Sequence, residues 1–336
     1  MQPLQPAPSI RRWIDVQNWT VYTRYRYVEN SADVKTSDQA QYKDTLRVRF
    51  NLDTEKRYSV NVGFFSGSSF NSTWDNTGIG MGDRSTLHFI KQLFASAAPV
   101  EGLEIQYGGL YISRGVNTEI TTYDDDGYLM GERVTIRRPR RFYFDEISAT
   151  RGLIGPFQTP AVADRWRGLH EANYGQVLVA RHFGPHVRAS ADYTNQQHQA
   201  GNDWFRAALA VTFPGGHGVD GARWEQYVRT TGSTGSGFAL LGDVHATDHF
   251  RLEAGYVTID ENYLGFAADS AGWNADRIQR GRRVVFYGTV PVWRELALAP
   301  FFTHAFAGPY SVSLKNRFDL VVQYDLLARL RRAGAL

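Results

Sequence analysis

The stretch 45–52, Thr45-Leu46-Arg47-Val48-Arg49-Phe50-Asn51-Leu52, alternates strictly between polar and apolar side chains. Successive side chains of a β-strand point to opposite faces, so this stretch has one apolar face and one charged face. The same two-residue alternation recurs at 187–193, 204–213, 250–256 and 318–326. A period of two that is repeated this often predicts an all-β chain.

The alternating segments are also long for soluble strands. Segments such as 203–213 exceed the roughly 5–6 residues of an average soluble strand, and a tilted strand needs about 9–11 residues to cross a bilayer. The apolar face suits lipid, and the charged face suits an enclosed aqueous interior. We therefore predict a transmembrane antiparallel β-barrel.

Tight turns alternate with longer polar loops along the chain. The turns lie at 53–56, 98–102, 184–186, 247–249 and 293–295, and the loops at 30–41, 68–85, 196–202, 261–281 and 306–315. Short periplasmic turns and long extracellular loops are typical of outer-membrane barrels. About 14 strands are predicted, an even number as such barrels require. They span 18–29, 42–52, 57–66, 86–97, 103–114, 174–183, 186–195, 203–213, 222–230, 237–246, 249–259, 282–291, 295–304 and 316–328.

The segment 115–173 is too long for an ordinary loop. Its apolar pieces 134–136 and 142–144 either form a hairpin or extend the barrel to 16 strands, the alternative count. Residues 161–172 are compatible with a short helix. We expect a long loop that folds partly into the lumen of a single barrel domain at 14–328, between a flexible N-terminal tail at 1–13 and a C-terminal tail at 329–336.

Composition excludes several classes of protein. The chain has no cysteine, so it is not a small secreted domain held by disulfides. Its 37 basic and 34 acidic residues nearly cancel, which does not suggest a nucleic-acid binder. No apolar run approaches the roughly 20 residues of a spanning helix. The Pro-rich start 1–8 is expected to be a tail that remains after removal of a signal peptide.

The pattern resembles that of Gram-negative outer-membrane porins, loosely the alginate-export-like group. It is carried by strand pairs around tight turns, such as 46–52 into 58–62, and by 103–111, and it extends over 14–328. The resemblance implies a passive or exporting channel with a charged lumen in the cell outer membrane. One departure is the end of the chain, because such chains often end on an aromatic residue and here the last aromatic is Tyr324.

Charged side chains on the inferred inner faces are the candidate pore-lining residues. They are Arg24, Arg26, Arg47, Arg49, Glu104, Arg188, Asp192, Arg206, Arg223, Glu225, Arg229, Asp243, Arg251, Glu253, Arg283 and Asp319. Rings of charge set the ion preference of a pore, so the excess of arginine predicts mild anion selectivity. The alternative is that these charges form cross-strand ion pairs that fill a narrow lumen.

One basic cluster stands out within 115–173. The cluster consists of Arg133, Arg137, Arg138, Arg140 and Arg141, and its last four members, with Asp145, are assigned to a constriction loop. An alternative function is binding of lipopolysaccharide phosphates outside the barrel. The simpler interpretation is a solvated loop whose charge is neutralised by neighbouring acids.

Signals for catalysis or metal binding are weak. Asp145 and Glu146 are adjacent, so on a strand their carboxylates point to opposite faces, which is wrong for paired acid–base catalysis. The acidic turn 124–127 lacks the spaced oxygen ligands of a calcium loop. We predict no enzymatic activity, cofactor or metal.

Aromatic side chains favour the membrane interpretation. Eleven of them are assigned to outward faces, several near strand ends, where amphipathic rings form interfacial girdles. They are Trp19, Tyr25, Tyr27, Tyr58, Tyr107, Tyr193, Phe213, Trp224, Phe250, Trp293 and Tyr324.

Three hypotheses remain open at this point. The first is a channel for small polar or anionic solutes, and the second is a structural or interaction barrel plugged by 115–173. The third is a soluble all-β carbohydrate-active protein, which would need no detergent. The expected partners are the lipid bilayer, lipopolysaccharide and small polar solutes, with no nucleic acid. A monomer is favoured over a trimer.

Overall fold

The chain folds into a closed antiparallel β-barrel in which each strand pairs with its neighbours in sequence and β1 pairs with β16. The computed structural model describes residues 12–66, 88–118, 128–137, 143–153, 172–196, 202–215, 218–231, 235–247, 250–260, 281–306 and 314–335. Within those ranges, no helix has the length and apolar character needed to cross a bilayer.

The barrel has 16 strands, the higher of the two predicted counts. They are β1 (Ile14–Glu29), β2 (Lys35–Asn51), β3 (Tyr58–Ser66), β4 (His88–Ala97), β5 (Leu103–Tyr111), β6 (Tyr128–Arg137), β7 (Glu146–Leu153), β8 (Tyr174–Phe183), β9 (Val187–Gln196), β10 (Asn202–Thr212), β11 (Val219–Arg229), β12 (Gly235–Thr247), β13 (Phe250–Ile259), β14 (Gly281–Trp293), β15 (Leu296–Ala305) and β16 (Asn316–Asp325).

The prediction of one long loop at 115–173 is wrong. That segment contains β6 and β7, which pair with each other and connect β5 to β8. The physical reason is that lipid offers no hydrogen bonds, so a barrel closes only when every backbone edge is paired. The helix considered at 161–172 lies, except for its last residue, outside the described residues.

Two ends of the barrel can be told apart by their connections. The end that carries the connections 52–57, 98–102, 184–186 and 294–295 is called the short-turn end. The opposite end, where 112–127 and 154–173 connect strands, is called the long-loop end. The first connection there is shorter than predicted, because β2 begins at Lys35 rather than at 42.

The tail predicted at 329–336 is wrong in its first part. Helix α1 (Leu326–Arg332) follows β16 directly, and the Asp325 side chain caps it by accepting from the Ala328 N–H at 2.8 Å. Leu327 is buried, and Arg331 Nη2 donates to the Val16 carbonyl at 3.0 Å. These contacts tie α1 to the start of β1 at the short-turn end.

The outer face of the barrel is mostly apolar, as the alternation predicts. The side chains exposed there include eight of the predicted girdle aromatics, and the rest are mostly aliphatic. The eight are Tyr25, Tyr58, Tyr107, Tyr193, Phe213, Trp224, Phe250 and Trp293. Exposed apolar surface of this extent needs a partner, and in a closed barrel lipid is that partner.

The hydrophobic core lies inside the barrel, toward the long-loop end. Its residues are on the inner faces of β5–β15 and are exposed by no more than 7%. They are Leu110, Leu129, Tyr174, Trp204, Tyr227, Ala239, Leu241, Val257, Ile259, Val285 and Phe301. We call the inner wall at this level the long-loop half, and the inner wall near the turns the short-turn half.

Candidate functional site

All sixteen candidate pore-lining residues lie on the inner face of the barrel. Arg24, Asp192, Arg206, Glu225, Arg229, Arg283 and Asp319 are buried. Arg26, Arg47, Arg49, Glu104, Arg223, Asp243 and Glu253 are half-buried, and Arg188 and Arg251 are exposed. The buried charges belong to the long-loop half, and the two exposed arginines lie at the short-turn end of β9 and β13.

A cluster of arginines surrounds Asp319 where the barrel closes. Arg26 Nε on β1 lies 3.2 Å from Asp319 Oδ1, and Arg317 Nε on β16 donates to the same carboxylate at 3.1 Å. Arg24 Nη1 lies 4.0 Å from Asp319 Oδ2, and Arg24 Nε donates to Gln41 Oε1 at 2.7 Å. Three guanidinium groups therefore share one carboxylate, which leaves this wall positively charged.

The basic wall continues along β2. The Lys43 ammonium lies over the Tyr22 ring at 5.3 Å, and the Arg47 guanidinium lies over the Tyr111 ring at 4.9 Å. Aromatic faces hold cations in place without neutralising them. Lys43 and Arg47 thus add positive charge to the inner face beside the arginine cluster.

The opposite wall carries a buried ion pair. Arg206 Nη2 on β10 lies 2.6 Å from Asp192 Oδ1 on β9, and both side chains are almost fully buried. Thr194 donates to Asp192 Oδ1 at 2.9 Å and accepts from Arg206 Nη2 at 2.7 Å. Strand pairing places Arg206 directly opposite Asp192, so the contact follows from the register of β9 and β10.

After β5, residues 112–118 turn into the lumen and run along the inner wall; we call them the inner loop. The Ser113 carbonyl accepts from Gln176 Nε2 at 2.8 Å, and the Val116 N–H donates to Ser190 Oγ at 2.7 Å. Further along, the Thr118 N–H donates to Glu225 Oε1 at 2.7 Å. The inner loop therefore crosses from β8 to β11 and narrows the lumen.

The assignment of a constriction loop to Arg137 and Asp145 is wrong. Arg137 ends β6 at the short-turn end, where it forms ion pairs with Glu104 and Glu146, each at 2.8 Å. Asp145 precedes β7, and its carboxylate accepts from the backbone N–H of His182, which lowers the pKa of Asp145. Arg138, Arg140 and Arg141 lie outside the described residues. The residues that narrow the lumen lie upstream, at 112–118.

Comparison with solved structures identifies the fold. A mutant of the Rh. blastica porin is similar, with a TM-score of 0.61 and 11% sequence identity over 93% of this chain and 99% of that one. Salmonella typhi OmpF, in a complex with daunomycin, matches with a TM-score of 0.60 and 10% identity over 94% of this chain and 99% of that one. The chain has the fold of the bacterial porins. No family model and no curated protein sequence matches it.

Several inner-face residues are absent from the predicted pore-lining set, although the alternation of the strands places some of them inside. Lys43 lies four residues before Arg47, Arg133 four before Arg137 and Arg317 two before Asp319, so strand parity alone places them inside. The contacts of the inner loop have no such signal. Thr118 reaches Glu225 across 107 positions of sequence, and neither residue lies in a recognisable motif.

Proposed function

We propose that this protein is a channel of the cell outer membrane for the passive passage of small polar or anionic solutes. The observation that carries the proposal is a closed barrel whose described inner-face residues include more arginines than acids and whose lumen is narrowed by the inner loop. Charged rings at a constriction select ions by sign, so the excess of arginine favours anions. Membership of the alginate-export-like group, contact with lipopolysaccharide and the absence of enzymatic activity belong to the same proposal.

The channel proposal is tested by conductance and reversal potential in planar bilayers with asymmetric salt. We expect discrete current steps and a reversal potential of the sign given by anion preference. Arg47→Glu should shift this potential toward cations, because Arg47 lies on the inner face over Tyr111. Arg57→Glu, in the turn between β2 and β3, is the matched control and should leave the potential nearly unchanged. An equal shift of the reversal potential in both variants would contradict the assignment of Arg47 to the conduction pathway.

A plugged structural or interaction barrel is the second candidate, and burial in the long-loop half favours it. Arg206 is 1% exposed and Arg283 0% exposed, so water hardly reaches their side chains. An open aqueous pore would hydrate inner-face charges at this level. A complete absence of current steps from a heat-modifiable, membrane-inserted protein would support this candidate over the channel.

A monomer is proposed as the working state, with a trimer as the alternative. Crosslinking in native membranes, followed by electrophoresis without heating, would distinguish the two.

A further inference from the structure

A pocket opens at the short-turn half, between the inner loop and the ends of β6–β9. Its volume is about 720 Å³, and residues 113–116 of the inner loop form one side of it. Arg137, Glu146, His182 and Arg188 line the other side. A volume of this size is within the range of about 300–1,000 Å³ that holds small organic ligands.

The acids of the pocket already have partners. Glu146 Oε2 accepts from Arg137 Nε at 2.8 Å. Asp145 Oδ2 accepts from the backbone N–H of His182 at 2.5 Å and lies 2.9 Å from the His182 ring Nδ1. These contacts engage one oxygen of each carboxylate, and Arg137 supplies the positive charge opposite Glu146.

Arg188 is in a different situation. It is exposed and lies on the inner face of β9, and its guanidinium makes no hydrogen bond or ion pair with any residue in the described part of the chain. Arg181 has the parity of the outer face of β8, where its guanidinium lies over the Tyr143 ring at 3.7 Å, so it adds no charge to the interior of the pocket. Arg114, Arg137 and Arg188 line the pocket against the two acids Asp145 and Glu146, so its formal charge is positive, and Arg188 has N–H donors available to a ligand.

The chemistry of these groups defines a ligand class. A planar guanidinium with free N–H groups binds carboxylate or phosphate oxygens through two parallel hydrogen bonds. Val116 and Ala180 add apolar surface to the same pocket. An oxyanion on a small apolar group matches both features, with the carboxylate at Arg188 and the apolar part against Val116 and Ala180.

We propose that this pocket is a binding site for small organic carboxylates at the short-turn mouth of the barrel, with Arg188 as the anchoring residue. The site deepens the proposed function and rests on it for its biological role, because it would gather anions at one mouth of the channel. The binding itself is independent of conduction. Free phosphate shares the oxyanion chemistry but lacks the apolar group, so it binds more weakly.

The experiment is titration calorimetry of the full chain in detergent micelles, with benzoate and inorganic phosphate as separate probes. Benzoate is expected to bind more tightly than phosphate, and Arg188→Gln to weaken benzoate by about tenfold or more, the effect of losing roughly 1.4 kcal/mol. Arg188→Lys keeps the positive charge but loses the planar guanidinium with its paired N–H donors. Its affinity for benzoate should therefore lie between those of the parent and Arg188→Gln. Arg251→Gln is the matched control, because Arg251 is also exposed on the inner face at the short-turn end but does not line the pocket.

Four outcomes decide the proposal. Loss of benzoate binding in Arg188→Gln alone supports the site, whereas an equal loss in Arg251→Gln, no change in Arg188→Gln, or no binding by the parent overturns it. Conductance of the same preparations separates the site from the channel. Benzoate binding without current steps would support the binding site and contradict the channel. Current steps without benzoate binding would support the channel and contradict the binding site.

Discussion

Arg206 and Arg188 lie on the inner faces of two neighbouring strands, yet their surroundings are opposite. Arg206, in the long-loop half, is 1% exposed and paired with Asp192, whereas Arg188, in the short-turn half, is exposed and has no ion pair with any described residue. A two-residue period assigns both to the interior and cannot distinguish them. The difference shows that the barrel interior changes along its axis. The function of an inner-face charge depends on whether it lies in the long-loop half or in the short-turn half.

In the long-loop half, charges are structural. Each buried guanidinium or carboxylate has lost its water and depends on its partner, so removing one partner leaves an uncompensated charge. In the short-turn half, the inner-face charges are half-buried or exposed, so water and a solute can reach them. We therefore expect substitutions of the same type to change stability in one half and selectivity or binding in the other.

The largest expected effect is on Asp319 in the long-loop half. Asp319→Asn leaves Arg24, Arg26 and Arg317 around an uncharged side chain, and it should lower the free energy of unfolding by about 3–5 kcal/mol. Urea titration of the barrel in phospholipid vesicles measures this change.

Asp243→Asn is the matched control in the short-turn half. Asp243 lies opposite Glu253 across β12 and β13, and like charges in that position are unfavourable. The control should therefore be neutral or slightly stabilising. Equal destabilisation by both substitutions would contradict the division of the interior into two halves.

The sequence predicts well which face of the barrel a residue lies on, and poorly whether an inner-face residue is buried or exposed. Alternation in β2 and β10 identifies inner and outer residues because lipid and water impose opposite requirements on the two faces. It fails at β6 and β7, where Gly131 faces Gly152 and the outer face includes Glu132 and Arg151. These strands form because their neighbours need partners, a requirement that lies outside their own sequence.

The candidate site shows the same limit. The two-residue alternation of the strands identifies most inner-face arginines. The position of the inner loop, in contrast, depends on contacts between distant segments, such as Val116 with Ser190 and Thr118 with Glu225. The glycine pair in β6 and β7 illustrates another hidden constraint. A Cβ on Gly131 would lie 2.1 Å from the Arg151 carbonyl oxygen, so close packing requires glycine there.

The second prediction compares two adjacent residues of β10. Trp204 is 2% exposed inside the core of the long-loop half, and Phe205 is 44% exposed on the outer face. Trp204→Ala leaves a cavity and should lower the unfolding free energy by about 3–5 kcal/mol. At Phe205, lipid fills the space, so Phe205→Ala loses only the transfer contribution, roughly 1.5–3 kcal/mol. The same urea titration measures both changes. A larger loss of unfolding free energy in Phe205→Ala than in Trp204→Ala would contradict the placement of the packed core inside the barrel.

The third prediction concerns the inner loop. Glu225→Ala removes two hydrogen bonds from Thr118 to a charged acceptor, a loss of about 3 kcal/mol. The equilibrium between the docked and released loop should then shift by about 100-fold, since 1.4 kcal/mol is a factor of ten. Single-channel recording should show larger or more variable current steps.

Ser190→Ala is the control for the inner loop, because it removes one hydrogen bond from Val116 to a neutral hydroxyl, about 0.5–1.5 kcal/mol. Its effect on the current should be smaller than that of Glu225→Ala. Identical currents in the parent and Glu225→Ala would mean that the inner loop does not control the pathway.

The smallest effect is expected at the rim of the long-loop end. There the ammonium of Lys315 contacts the carboxylate of Asp33, which lowers the pKa of Asp33 and raises that of Lys315. A lowered acid pKa stabilises the folded state above the unfolded value of 3.8, and this contribution is lost as the pH falls below it. The raised Lys315 pKa has the opposite sign, and its contribution is lost as the pH rises above 10.5.

Limited proteolysis of the intact barrel across pH should therefore show the rim best protected between these limits, with only a slight gain in cleavage outside them because both groups are exposed. Asp33→Asn should flatten this profile and leave the conductance of the parent unchanged. A change in the conductance of Asp33→Asn would mean that the contact between Asp33 and Lys315 affects the conduction pathway inside the barrel, so that the rim and the interior are coupled.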